Sequence, residues 1–399
     1  MNPKLGYYSI GLSKFESKID ACIFASQIHS KLKDVHPKTL LKWHFNDDVF
    51  DSYDWTKEPQ SSLDELYNKR AKELREKYDY IIVSYSGGAD SHNMIEAFLR
   101  QNLLIDEIVT THMNEAMKDY AIVDINERSP KYSYSSEYQL QVLPRLNEIS
   151  KRSPNTKIRI FDVSKSIFDS FSSKHDESWV HRVKEELNPI DASRYNYLQF
   201  AEFKKQLDLS KKIAIVLGVD KPRVKIDLVT GNFFLLFTDR LANIVPIGEY
   251  AKDYTNTTVE YFYWSPDAVD LICKQAHAVK KWLLKNKNFL KYFDLNPSLL
   301  SNGRSLSERI IRPIIYTTWN KDWFQADKGM YDWHSEYDRW FIDGHRNTIE
   351  HSLWKKGLIY VAKNCRPYIT NMNAPDGLIW FEKSYIIGNL NDFEQQSIS

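Results

Sequence analysis

Apolar residues in this chain gather into short dense runs separated by longer amphipathic stretches. Tyr80-Ile81-Ile82-Val83 is apolar, β-branched and too short for a helix, which predicts a strand buried on both faces. Similar runs at 107–111, 157–163 and 212–217 predict three further strands. Between them the spacing becomes helical: 92–100 follows the first run, 136–150 leads to the third, and helical segments fill the stretch 165–208. Helices are also predicted over 18–32 and 63–77. Strands alternating with helices predict an α/β fold built on a doubly wound parallel sheet.

Beyond residue 224 the pattern changes. Residues 225–237 predict a hairpin turning at 230–232, and 266–292 predict a helix with Ile272, Ala276, Val279 and Leu283 on one face. After residue 300 the chain is rich in Trp, Tyr and Phe without clean periodicity. Three regions follow: an N-terminal extension (1–78), an α/β domain (79–240) and an aromatic-rich α+β C-terminal substrate or accessory region (241–399).

The first strand ends in the most specific motif of the chain, Ser84-Tyr85-Ser86-Gly87-Gly88-Ala89-Asp90-Ser91. Two glycines let the backbone turn sharply and approach a ligand. The helix opening behind them offers free N–H groups and a positive dipole end to phosphate. Ser86 and Ser91 add hydroxyls, and Asp90 adds a carboxylate suited to Mg²⁺. Neither a Walker A pattern nor a Rossmann Gly-x-Gly-x-x-Gly stands at this turn.

Ser86, Gly87, Gly88, Asp90 and Ser91 resemble, position by position, the PP-loop of the N-type ATP pyrophosphatase superfamily. The resemblance implies a HUP/Rossmann-like domain that binds ATP and Mg²⁺. It also implies a reaction in which an acceptor oxygen attacks the α-phosphorus, pyrophosphate leaves, and the adenylate is resolved by ammonia, an amine or sulfur. Asp90 would be both catalytic and metal-binding, with Ser84, Ser86, Gly87, Gly88 and Ser91 cradling phosphate.

A second segment, Gly218-Val219-Asp220-Lys221-Pro222-Arg223, resembles the Gly-x-Arg stretch of the branch that includes phosphoadenylylsulfate reductases, except that Asp220 stands where that branch usually has arginine. More loosely, the chain resembles stand-alone members of that branch, some of them phage-encoded. Lys221 and Arg223 are candidate catalytic cations for the departing pyrophosphate, and a solvated turn is the alternative. Thr111-His112-Met113 lies where superfamily members cradle adenine, although His112 equally suits a histidine at the edge of the core.

Composition narrows the chemistry. Lys plus Arg (54) nearly balance Asp plus Glu (53), so nothing in the overall charge argues for a polyanionic partner. Three scattered cysteines, Cys22, Cys273 and Cys365, exclude a disulfide scaffold and a multi-cysteine metal site from this chain alone. Cys365 lacks the Glu-Cys-Gly-Leu-His context of sulfonucleotide reduction, and Cys22 is no N-terminal glutaminase nucleophile. An amide-forming enzyme would therefore take free ammonia, a presented amine or ammonia from a partner protein; a homo-oligomer is also compatible. The first residues carry no signal-peptide pattern and no run of about 18 apolar residues occurs, so the expected location is cytoplasmic, away from membranes.

The leading expectation is an ATP-dependent, AMP-forming enzyme that adenylates an unidentified acceptor and leads to amide or amine ligation. A non-catalytic nucleotide sensor or scaffold is the first alternative. Modification of tRNA or DNA is the second, with Lys274, Lys280, Lys281, Lys285, Lys287 and Lys291 of the 266–292 helix as the nucleic-acid face, or else an ordinary solvated one. The Trp43-His44-Phe45-Asn46-Asp47-Asp48 cluster suits either a nucleotide-closing loop or helix-capping acids, and Trp319, Trp323, Trp333 and Trp340 suit a core.

Overall fold

The computed structural model of the chain describes residues 6–32, 35–119, 137–171, 178–181, 187–190, 205, 210–239, 256–295, 303–320, 336–369 and 377–392. At the N-terminus, β1 (Tyr7–Ile10), β2 (Ser13–Phe15) and β3 (Lys42–His44) form an antiparallel sheet in the order β2-β1-β3. Helix α1 (Lys18–His29) and the short helices α2 (Pro37–Leu40) and α3 (Asp47–Phe50) surround it. Helix α4 (Leu63–Lys77) begins at a capping box, in which Ser62 and Glu65 satisfy each other's backbone N–H groups. It buries Leu66, Tyr67, Arg70, Ala71 and Leu74 on one side.

The central sheet contains β4 (Tyr80–Ser84), β5 (Glu107–His112), β6 (Lys157–Asp162) and β7 (Ile213–Leu217), all four at the runs expected from the sequence. Between β7 and its remaining strand the chain makes the hairpin β8 (Arg223–Ile226) and β9 (Asn232–Thr238). In its turn Asp227 accepts hydrogen bonds from Val229 N–H and the Thr230 hydroxyl, and Gly231 takes the left-handed φ of 75°. The fifth strand, β10 (Thr257–Tyr261), then completes a parallel sheet in the order β10-β7-β4-β5-β6. Helix α5 (Ala89–Leu99) links β4 to β5, α6 (Asn114–Asp119) follows β5, and the Leu143–Arg152 helix precedes β6.

A five-stranded parallel sheet flanked by helices is a Rossmann-like arrangement. Its strand order fixes where a ligand would sit: from β4 the chain moves to β5 on one side, and β7 is followed in the sheet by β10 on the other. The crevice of such a sheet opens where those directions diverge, beyond the carboxyl ends of β4 and β7. Register brings Ser84 level with Leu217, so the loops after both strands start at the same height. Ile81, Ile82, Val83, Ile213, Ala214 and Val216 are buried beneath them. Burying each large side chain contributes about 1.5–3 kcal/mol, which makes the floor of the crevice stiff.

Strands on both sides of residue 240 share both larger sheets. β10 enters the parallel sheet, and β11 (Glu382–Asn389) pairs with β9 in an antiparallel sheet ordered β11-β9-β8. The expected 266–292 helix runs over Val269–Lys285, with a 3₁₀ turn on either side, and packs against α4 and the Gly303–Ile315 helix. Much of the aromatic content is core: Phe45, Phe50, Trp55, Phe237 and Trp264 contact one another, with Phe237 and Trp264 ring centroids 5.0 Å apart. Trp340 is buried and Trp319 packs against the core, whereas Trp323 and Trp333 lie outside the described residues. Among the described residues no helix is long and apolar enough to cross a membrane.

Candidate functional site

The loop after β4 is shaped by its first glycine. Gly87 has φ +77°, and a Cβ placed there would lie 2.3 Å from Val142 Cγ2. Gly88, in contrast, is extended at φ −75° and ψ 162°, and the nearest atom to a Cβ there is Ser86 Oγ at 3.4 Å. The steric demand falls on Gly87, which corrects the equal weight that the paired glycines suggest in the sequence. Gly88 is the N-cap of α5 and has no side chain to cap it, so the first-turn amides of that helix face the crevice without a capping group.

Hydroxyls tie the loop together. Ser91 Oγ donates to Gly88 C=O (3.1 Å) and lies 3.2 Å from Ser86 Oγ, which accepts from Gly88 N–H (3.3 Å). Gly218, just past β7, lies directly against the start of α5. A Cβ there would be 3.0 Å from both Ser91 N and Ser91 Cα, so glycine lets the two loops meet without pushing the start of α5 aside.

Asp90 is the electrostatic centre. One of its carboxylate oxygens accepts a hydrogen bond from the Tyr316 hydroxyl, and the other lies 3.5 Å from Lys221 Nζ. Burial opposes its ionisation, but the Lys221 and Arg312 charges and the Tyr316 hydrogen bond outweigh it and hold the carboxyl below its ordinary value. Lys221 also lies 3.4 Å from Asp220 Oδ1, and Arg223 Nε is 4.0 Å from Asp220 Oδ2. The candidate cations thus reach the loop as a chain, Asp90–Lys221–Asp220–Arg223, rather than as two separate charges. Asp220, which departs from the resembled motif, is the link between them.

Tyr263, Tyr316 and Arg312 come from parts of the chain without a readable motif. The Tyr263 hydroxyl donates to Asp90 C=O (2.8 Å) and accepts from Asn93 Nδ2 (3.1 Å), while Thr318 donates to Asn93 Oδ1 (3.2 Å). The C-terminal region therefore walls one side of the loop. Tyr316→Phe should lower stability by about 1.5–3 kcal/mol, the usual worth of a hydrogen bond to a charged group, as read by denaturant midpoint. A midpoint equal to wild type would mean that Asp90 is held by the cations alone.

Ser84 ends β4 level with Leu217, and beyond β5 the three residues expected near adenine differ in exposure. Thr111 is exposed and Met113 fully buried; the half-buried His112 ring stacks on Tyr138 (centroids 4.5 Å) with Nδ1 3.3 Å from Phe161 C=O.

The other candidates are tied into the scaffold. Asp47 pairs with Lys383 of β11 (2.5 Å) and with His44, joining the N-terminal sheet to the C-terminal strand. Lys274 and Lys281 both bond Glu58, at 2.9 and 2.5 Å, and the buried Lys280 donates to Ile387 C=O (2.8 Å). Only part of the expected basic face, Lys285, Lys287 and Lys291, is left as exposed lysines outside those pairs.

Magnesium commonly binds through one or two carboxylates, with phosphate oxygens and water completing its shell. Asp90 and Asp220 supply that pair, and the Lys221 ammonium lies between them. Among the described residues no group of three or more His, Cys, Asp and Glu is placed to hold a metal without a ligand's help. Comparison with known proteins finds no protein-family model that matches the chain and no curated protein that matches it.

Proposed function

We propose that this chain binds ATP in the crevice beyond β4 and β7 and transfers its adenylyl group to an acceptor oxygen, releasing pyrophosphate. The observation that supports this most is the meeting of two loops there. A glycine-turned loop opens an uncapped helix N-terminus, and Gly218 packs the Lys221- and Arg223-bearing segment directly onto it. Phosphate oxygens would accept from the first-turn amides of α5 and from Ser86 and Ser91. Charge builds on the pyrophosphate as the α–β bond breaks, and Lys221, Arg223 and Arg312 are the groups available to stabilise it. Magnesium held by Asp90, with Asp220 beside it, would neutralise phosphate charge when bound. Lys221, already beside Asp90, would add its charge to the same phosphates.

The acceptor adenylate would then be open to ammonia or an amine, which makes amide or amine ligation the favoured outcome. Incubating the full chain with ATP, Mg²⁺ and a panel of carboxylate and carbonyl acceptors, while following pyrophosphate and AMP, tests this reading. AMP and pyrophosphate in equal amounts support it; ADP and phosphate exclude it. Binding without turnover for any acceptor would make the chain a sensor.

Arg223→Ala should lower turnover by about 30- to 1000-fold, in line with a lost oxyanion donor of about 2–4 kcal/mol, yet leave AMP affinity near wild type, because AMP lacks the departing pyrophosphate. Equal losses in both would place Arg223 on the α-phosphate instead.

A further inference from the structure

Outside the nucleotide crevice, three side chains of the N-terminal region stand in the order a nucleophilic relay needs. Ser9 lies within β1, His44 ends β3 and Asp47 opens α3. Ser9 Oγ is 2.8 Å from His44 Nε2, and His44 Nδ1 is 2.5 Å from Asp47 Oδ2. The acid fixes the direction of the hydrogens. Burial opposes the ionisation of Asp47, but hydrogen bonds from Lys383, His44 and Phe45 N–H outweigh it and hold the carboxyl below its ordinary value. An ionised carboxylate can only accept, so Nδ1 carries the hydrogen, and in the neutral ring Nε2 is left as an acceptor. The Ser9 hydroxyl therefore donates to Nε2, which is the proton path from nucleophile to base to orienting acid.

The relay is held in place and open to solvent. The Tyr7 ring stacks on His44 at 4.6 Å and 7°, and Asp47 Oδ1 is fixed by Phe45 N–H (3.0 Å) and Lys383 Nζ (2.5 Å). Ser9 is half-buried, while the His44 and Asp47 side chains are 15% and 29% exposed. Lys14 and Lys42 are the cross-strand partners of Ser9 on β2 and β3, and both are exposed. Directly opposed residues share a face, so positive charge flanks the place where the acyl carbonyl oxygen would become an oxyanion on attack by Ser9.

We propose that Ser9, His44 and Asp47 form a second catalytic site that hydrolyses activated acyl esters, independently of nucleotide. Ser9 Oγ attacks the acyl carbon and its proton passes to His44 Nε2. The bond from the acyl carbon to the leaving oxygen or sulfur breaks, and the leaving group takes that proton. Water then attacks acyl-Ser9, gives its proton to the same nitrogen, and the carboxylic acid departs as Ser9 regains a proton. β1 is the central strand, with neighbours on both edges of its backbone, so lysine side chains rather than a pair of free amides face the oxyanion. That weaker stabilisation suits a good leaving group, an aryl ester or a thioester, and not a peptide amide.

The test uses the purified full chain without ATP, a fluorophosphonate probe, and mass spectrometry to locate the label. Ser9 should carry the phosphonyl group, and the rate should fall by about 100-fold or more in His44→Gln, the usual range for loss of a general base. An unmodified Ser9 in wild type, or equal rates in a folded His44→Gln, overturns the proposal. Should His44→Gln fail to fold, selectivity in wild type decides: label confined to Ser9 supports the site, and label spread over surface serines overturns it.

Discussion

Gly87→Ala is expected to abolish nucleotide binding. Gly87 has φ +77°, and the added methyl would lie 2.3 Å from Val142 Cγ2. A non-glycine residue held in that conformation costs about 1–3 kcal/mol, and forcing a methyl into a packed contact costs a similar amount. The loop can relieve both by turning its backbone away, which removes the amides from the phosphates. Losing two charge-assisted hydrogen bonds of about 1.5–3 kcal/mol each lowers affinity by about 100-fold or more. Adding Val142→Ala should return part of the stability by clearing the clash, but little of the affinity, because the backbone strain stays. Calorimetry on the three proteins checks this. Near-wild-type affinity in Gly87→Ala would place the phosphates elsewhere. The same substitution at Gly88 should be milder, since that residue is extended and only Ser86 Oγ is close.

Asp90→Asn is expected to remove turnover and also to cost stability. The sequence alone suggests that exchanging a carboxylate for an isosteric amide leaves folding intact. In the structure Asp90 accepts from Tyr316 and faces Lys221, with the Arg312 charge also acting on it. Asparagine keeps one acceptor, but it turns an amide donor toward an ammonium and leaves the cations less compensated. A loss of about 1–3 kcal/mol follows, with turnover reduced to background. Thermal melting and pyrophosphate release measured together check both parts. Unchanged turnover would remove Asp90 from the chemistry, and unchanged melting would mean that Lys221 is satisfied by Asp220 alone.

These two residues also mark what was legible in the sequence. The loop, Gly218 and the four strands β4 to β7 were readable because apolar runs and glycine turns are local signals. β10 was not, since Thr257-Thr258-Val259-Glu260-Tyr261 carries a carboxylate. That carboxylate is buried and held by Arg70 (3.2 Å), Lys77 (2.8 Å) and the Tyr78 hydroxyl (2.5 Å), partners that no sequence window contains. The strands β1 to β3 are only three or four residues long, too short for an alternating pattern, and Lys14 and Lys42 fall within two of them. Tyr316 and Arg312 approach Asp90 from more than half the chain away, and aromatic residues in that stretch read equally well as core. His44 and Asp47 belong to an acidic–aromatic cluster visible in the sequence, but Ser9 joins them only through the antiparallel pairing of β1 with β3. Local chemistry survives in a sequence; constellations closed by tertiary pairing do not.

The central claim is that the triphosphate lies on the Ser86–Ser91 loop against Lys221. It is tested most directly by calorimetric titration of the full chain with ATP and Mg²⁺, repeated for Lys221→Met. One nucleotide per chain, with affinity falling by about 10-fold or more in Lys221→Met as a charge-assisted phosphate contact is lost, is the predicted result. No saturable binding to wild type, or identical affinity in both proteins, would contradict it.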